Sequence, residues 1–157
     1  MITNQRIRIA LQKKGRLNKE SLELLFQCGL KARIDPNTLY CHSENLPIDL
    51  LFVRDDDITT LVSDGICDLG IVGENVLYEH ESRLAFDGND NNFAIVARLG
   101  FGHCRLSIAL PAESKFKDIQ SLQNKSVATS YPHSLKKFLE NHAVTAKILL
   151  ISGSVEI

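Results

Sequence analysis

Residues 47–53, Pro-Ile-Asp-Leu-Leu-Phe-Val, form a nearly unbroken apolar run that stops at Arg54-Asp55-Asp56-Asp57. A strand with one wet face alternates apolar and polar residues; a strand without that alternation is covered on both faces. Covering both faces takes helices above and below a sheet, and the flanking sequence supplies them. The acidic cluster after Val53 caps a helix in which Ile58, Leu61 and Val62 keep helical spacing and Gly65 ends the turn. Residues 68–72 predict a second buried strand, running into Gly73-Glu74-Asn75.

The same punctuation continues on either side. Ile7, Ile9 and Leu11 alternate as in a strand, which ends in the loop Lys13-Lys14-Gly15-Arg16. Asn18 then caps a helix stapled by Leu17 against Leu22 and stopped by Gly29. Downstream, the polar stretch 81–92 predicts a surface loop, and 93–99 and 104–110 predict strands around the glycines Gly100 and Gly102. A helix through Leu122 and a strand over 126–129 follow. Pro132 fits the first turn of another helix, with Ser130 as its cap and Leu135, Phe138 and Leu139 as its apolar face; residues 144–151 predict a last strand. Strands alternating with helices give an α/β fold with mainly parallel sheet, and the break at Gly100 to Gly102 marks a crossing into a second lobe.

Composition narrows the function. At 157 residues, with 44% hydrophobic and 24% charged, the chain fits one ordinary domain or two small lobes and is not a disordered segment. Its longest apolar stretch, around 148–151, falls far short of the ~20 residues that cross a bilayer. The N-terminus lacks the pattern of a secretory signal, so the expected location is the cytoplasm. Cys28, Cys41, Cys67 and Cys104 have no C-x-x-C spacing, which argues against structural zinc and for buried, reduced thiols. A net charge of -1 predicts no nucleic-acid footprint. The charge is unevenly spread: residues 1–16 carry five basic residues and no acidic one, whereas 44–90 carry twelve acidic and two basic. That contrast suits a site for a small polyanion.

In open α/β sheets ligands gather at the carboxyl ends of strands. Four segments fall there: Lys13-Lys14-Gly15-Arg16, Arg54 with its aspartates, Gly73-Glu74-Asn75, and Thr129-Ser130-Tyr131-Pro132-His133. The first is either an exposed basic turn or a phosphate loop whose glycine admits close backbone approach. Arg54, directly after a buried strand, requires a carboxylate or an anionic ligand. Thr129 and Ser130 either cap a helix or donate hydroxyls to a phosphate; Tyr131 either packs or stacks on a base. Asp68 caps, pairs with a cation, or orients a ribose hydroxyl. The sequence holds no nucleophile-and-base signature and no G-x-x-x-x-G-K-[ST] loop, so the residues alone reach an α/β protein that binds a small phosphorylated molecule.

Five segments in register go further. Arg8-Ile9-Ala10-Leu11-Gln12-Lys13-Lys14-Gly15-Arg16-Leu17, Val53-Arg54-Asp55-Asp56-Asp57-Ile58, Asp68-Leu69-Gly70-Ile71-Val72-Gly73-Glu74-Asn75-Val76, Cys104-Arg105-Leu106-Ser107 and Ala128-Thr129-Ser130-Tyr131-Pro132-His133 resemble, in this order, the N-terminal half of ATP phosphoribosyltransferase in its long, histidine-regulated form. The resemblance implies a two-lobed, periplasmic-binding-protein-like (type II) fold, with residues 1–100 in the first lobe and 101–157 in an incomplete second lobe. It implies a Mg²⁺-assisted transfer that joins N1 of ATP to C1 of phosphoribosyl pyrophosphate and releases pyrophosphate, the first step of histidine biosynthesis. Arg16 and Arg54 take the catalytic phosphate contacts by this resemblance. Lys13, Lys14, Gly15, Asp68, Gly73, Glu74, Thr129, Ser130, Tyr131 and Glu156 bind substrate, and no metal ligands are assigned. The family pattern continues past Gly153-Ser154-Val155-Glu156 into a phosphate-gripping loop and a histidine-binding regulatory domain, neither of which the sequence includes. The expectation is therefore an inactive fragment of a homo-oligomeric enzyme (hexamer or dimer) that histidine feedback-inhibits. A non-catalytic small-ligand-binding module of the same fold is the alternative.

Overall fold

The computed structural model describes residues 6–35, 37–90, 92–114 and 116–151; Glu156 and its neighbours lie outside them. The first sheet has four strands in the order β2-β3-β1-β4, where β1 is Ile7–Gln12, β2 Tyr40–His42, β3 Ile48–Val53 and β4 Leu69–Gly70. β1 runs parallel to β3 over its whole length, from Ile7 opposite Ile48 to Gln12 opposite Val53, and parallel to β4; β2 is antiparallel to β3.

Both faces of the central strands are covered, as the apolar run at 47–53 requires. Ile9, Leu11, Leu50 and Phe52 pack on one face with Leu30 and Cys41, beneath Leu22 and Leu25 of helix α1 (Arg16–Gln27). Ala10 turns to the other face, where Ile58 of helix α2 (Asp55–Ser63) and Cys67 bury it, with Leu51 and Val53 alongside. Asp49 is the polar exception. Its buried carboxylate accepts hydrogen bonds from Arg6 Nε at 2.5 Å, Tyr40 OH at 2.5 Å and His42 Nδ1 at 2.8 Å. Burial alone would raise its pKa; the donors Tyr40, Arg6 and His42 overcome that and hold it at about 2.

A second unit holds parallel strands β5 (Ser126–Thr129) and β6 (Lys147–Leu150), joined through helix α4 (Pro132–Asn141). Leu122, Leu135, Leu139 and Val144 form its small core. Helix α3 (Glu74–Phe86) of the first unit packs against α4.

Several sequence expectations are corrected. The helix after Gly73 runs on to Phe86, through the first part of the stretch expected to be a loop. Residues 93–99 and 104–110 carry no strand, because no described strand offers them a hydrogen-bonding ladder. The helix expected through Leu122 is a single 3₁₀ turn, Ile119–Leu122. β4 is two residues long and exposed at the sheet edge, since only β1 pairs with it. Cys41 and Cys67 are buried, and burial pushes both thiols up, but Cys28 and Cys104 are exposed.

Candidate functional site

Parallel pairing brings the ends of β1 and β3 side by side, at Gln12 and Val53. The pairing extends one step, with the Lys13 N–H donating to the Val53 carbonyl at 2.7 Å. The chain therefore leaves the sheet twice at one place, toward Lys14 and toward Arg54, and each exit feeds a helix. Between them lies a depression of about 420 Å³ lined by Lys13, Lys14, Val53, Arg54 and Asp55. Three cations and one carboxylate line a space sized for a small anion.

The loop is held open by local bonding. Gly15 has φ 122°, a conformation that disfavours any side chain, and a Cβ there would strike the Gln12 side chain at 2.7 Å. Gln12 Oε1 accepts the Leu17 N–H at 3.2 Å, and Asn18 Nδ2 donates to the Gln12 carbonyl at 2.7 Å. Asn18 is thus inside the first turn rather than its cap; Gly15 is the N-cap. Lys13 Nζ reaches the Asn37 carbonyl at 3.5 Å, while Lys14 and Arg54 are exposed. Asp55, Asp56 and Asp57 fill the first turn of α2, where negative charge meets the positive helix end. Partial burial, then the Asp55 and Asp57 charges, raise the Asp56 pKa, and Arg54 works against them.

Arg16 faces the second lobe. Interaction with the nearby Cys104 side chain raises its pKa further above the ordinary arginine value, and Tyr131 adds to this. Tyr131 is half-buried, with Asn75 nearby. Burial, then the Asp55 and Asp56 charges, push its pKa up. Arg16, Tyr131, Asn75 and Cys104 therefore lie near one another, with the aspartates at the start of α2 close enough to act on Tyr131. Gly102 passes close to α1: it has φ 68°, and a Cβ there would run into Leu17 Cδ2.

The remaining predicted residues divide. Thr129 Oγ1 accepts the Tyr131 N–H at 2.9 Å, which shapes the turn, and Ser130 is exposed beside it. Ser130 does not cap α4; the cap position is Tyr131, and the N–H groups of His133 and Ser134 donate instead to Glu79, at 3.0 and 2.6 Å. Gly73 is the N-cap of α3 and touches the Asn75 side chain. Glu74 is paired with Arg98. Asp68 is not brought to the site. It accepts the Arg8 N–H at 2.7 Å and Arg8 Nε at 3.4 Å, at the opposite end of β1, about 16 Å of extended chain from Lys13. Hydrogen bonding from the Arg8 backbone is the main cause of its lowered pKa.

Asp55, Asn75, Cys104 and Glu79 escaped the sequence reading as site residues. Only Asp55 and Asn75 carried a signal, being next to Arg54 and Glu74; Cys104 and Glu79 arrive through long-range packing. Among the described residues no three His, Cys, Asp or Glu side chains converge as a metal site. A larger groove, about 670 Å³, lies in the second lobe; its lining is mainly apolar, with Ile108, Phe116 and Leu135, but includes Lys125, several serines and Thr129.

Comparison with known proteins bears on the family and the fold. The family model described as ATP phosphoribosyltransferase matches residues 54–157, which includes Arg54 and the 129–133 turn. The Lys13 to Arg16 loop precedes the matched residues. A chain of the solved ATP phosphoribosyl transferase (HisG:HisZ) complex from Thermotoga maritima resembles this one with a TM-score of 0.65 at 20% sequence identity. The similarity covers 95% of this chain and 65% of that one, so this chain spans about 65% of its structural relative. At such identity the likeness is one of fold, and the two-lobed, type II periplasmic-binding-protein-like α/β fold is the one observed. With the family model matching well over half of its residues, the chain belongs to the ATP phosphoribosyltransferase family.

Proposed function

We propose that the cleft between the lobes binds ATP and phosphoribosyl pyrophosphate for transfer of the phosphoribosyl group to N1 of the adenine. The observation that carries this reading is the convergence of Lys13, Lys14 and Arg54 on one depression, with Arg16 two residues after Lys14 in the same loop and Tyr131 of the second lobe in its electrostatic neighbourhood. In the reaction, a bond forms from N1 to C1 as the C1–O bond breaks, and pyrophosphate leaves with the bonding pair. The adenine supplies the nucleophile, so the protein's tasks are alignment and stabilisation of the departing charge. Lys13, Lys14 and Arg54 supply cations for pyrophosphate; Arg16 binds a phosphate near the lobe junction; Tyr131 offers a ring for the base; Thr129 and Ser130 add hydroxyls.

Magnesium belongs to this scheme as a counter-ion carried by the substrates' phosphates. Among the described residues the donors at the cleft are mainly cationic, which favours a metal bound to substrate over one held by the protein. The reading extends to self-association and a cytoplasmic location. Exposed Ile95, Val96, Leu106 and Leu150 offer apolar surface to a further copy, and no helix among the described residues is long and apolar enough to cross a membrane.

Calorimetric titration with ATP tests the reading. Each charge-assisted phosphate contact contributes about 1.5–3 kcal/mol, so Arg16→Ala and Arg54→Ala should each weaken binding by about tenfold or more. Unchanged affinity in both variants would make these arginines structural, and ATP failing to bind the parent would favour a module for another ligand.

A further inference from the structure

Helix α4 enters the second lobe without a cap of its own. Its first residue, Pro132, has no N–H, and the cap position, Tyr131, supplies no side-chain hydrogen bond. The next two donors, His133 and Ser134, are both taken by the carboxylate of Glu79, which comes from α3 in the first lobe. A carboxylate at a helix N-terminus is favoured twice, by the two hydrogen bonds and by the helix dipole. The capping group here is 54 residues away in sequence and belongs to the other lobe. The junction has a second contact one residue earlier on α3, where Lys137 Nζ lies 5.0 Å from the centre of the Tyr78 ring.

From this arrangement we infer that Glu79 is a positioning residue that fixes the second lobe against the first and thereby sets where Tyr131 stands over the cleft. Tyr131 directly precedes the capped turn, and the first-lobe residues Arg16 and Asn75 lie in its electrostatic neighbourhood. A turn free to shift would carry the ring away from both. The cations at Lys13, Lys14 and Arg54 lie wholly on the first lobe and do not depend on Glu79. A ligand that needs only those cations is therefore indifferent to Glu79, whereas one that also reaches Tyr131 is sensitive to it. The inference rests on the proposed nucleotide reading for its ligand, though not for its geometry.

The test uses a chain in which Tyr78→Trp supplies the sole tryptophan, the natural sequence having none. Glu79→Ala removes the cap; Glu79→Gln keeps its shape and one acceptor, so it stays informative should the alanine variant fold poorly. Tryptophan emission should shift to the red and acrylamide quenching should increase, more in the alanine variant than in the glutamine one. ATP binding should weaken about fivefold to tenfold, while inorganic pyrophosphate binding stays within twofold of the parent. Unaltered emission, or equal loss of both ligands, would overturn the inference, the latter because a merely structural cap treats both alike. If the parent binds neither ligand, the nucleotide reading fails and the emission alone decides whether Glu79 fixes the lobes.

Discussion

Replacing Asp49 with asparagine tests how the first sheet is held at its β2 edge. The carboxylate is buried and receives Arg6, Tyr40 and His42, and its pKa falls from the ordinary 3.8 to about 2. A folded-state value below the unfolded one means that the unfolded chain binds the proton more readily. The stabilisation is therefore complete above about pH 4 and drains away as pH falls through 2. Its size, taken from the difference in pKa, is about 2 kcal/mol, and it is an upper figure because His42 and Tyr40 are exposed and let solvent screen the pair. An asparagine in place of the aspartate cannot carry the charge and turns an amide donor toward groups that are themselves donors. Asp49→Asn should cost about 2 kcal/mol at pH 7, a shift of about 1–2 M in the urea midpoint. Urea melts followed by circular dichroism at pH 7, 4 and 2 measure this, with the parent as reference so that other carboxylates cancel. The gap between the chains should shrink steadily toward pH 2. A gap of constant size would show that shape rather than charge holds the edge, and no gap at pH 7 would refute the account.

Two further substitutions separate the site from its scaffold. Gly102→Ala should destabilise the chain by about 1–3 kcal/mol, read as a lower melting temperature, because the residue sits at positive φ and its methyl group would meet Leu17. Asp68→Asn should leave ATP affinity within twofold of the parent in calorimetry, since Asp68 is engaged by Arg8 at the far end of β1; a tenfold loss would return it to the binding site.

The elements legible in the sequence are those whose signals are local. The unbroken run at 47–53 announced a strand buried on both faces, and Leu50 and Phe52 against Leu51 and Val53 bear this out. Pro132 marked the first turn of α4. Helix α3 is not legible in the sequence: Val76 and His80 are its only buried residues, and charged residues interrupt its apolar ones, so the apolar stripe is weak. Residues 93–110 have the composition of strands, but a strand is defined by a partner, which composition does not reveal. The site divides likewise. Lys13, Lys14 and Arg54 follow from their places after two strands, and parallel register alone brings them together. Asp68 was left open among three roles, and only the structure shows Arg8 beside it. Glu79 carries no local signal; its importance depends on α3 meeting α4, a contact between residues more than fifty positions apart.

Photolabelling with 8-azido-ATP, followed by peptide mapping, tests the central claim most directly, because the azide reports where the base lies and not merely that a polyanion binds. The account predicts an adduct in the tryptic peptide 126–136, which contains Thr129, Ser130 and Tyr131, suppressed by excess ATP. Labelling at Ile108 or Phe116, which line the second-lobe groove outside that peptide, with none at Thr129, Ser130 or Tyr131, or an adduct that ATP does not suppress, would contradict it.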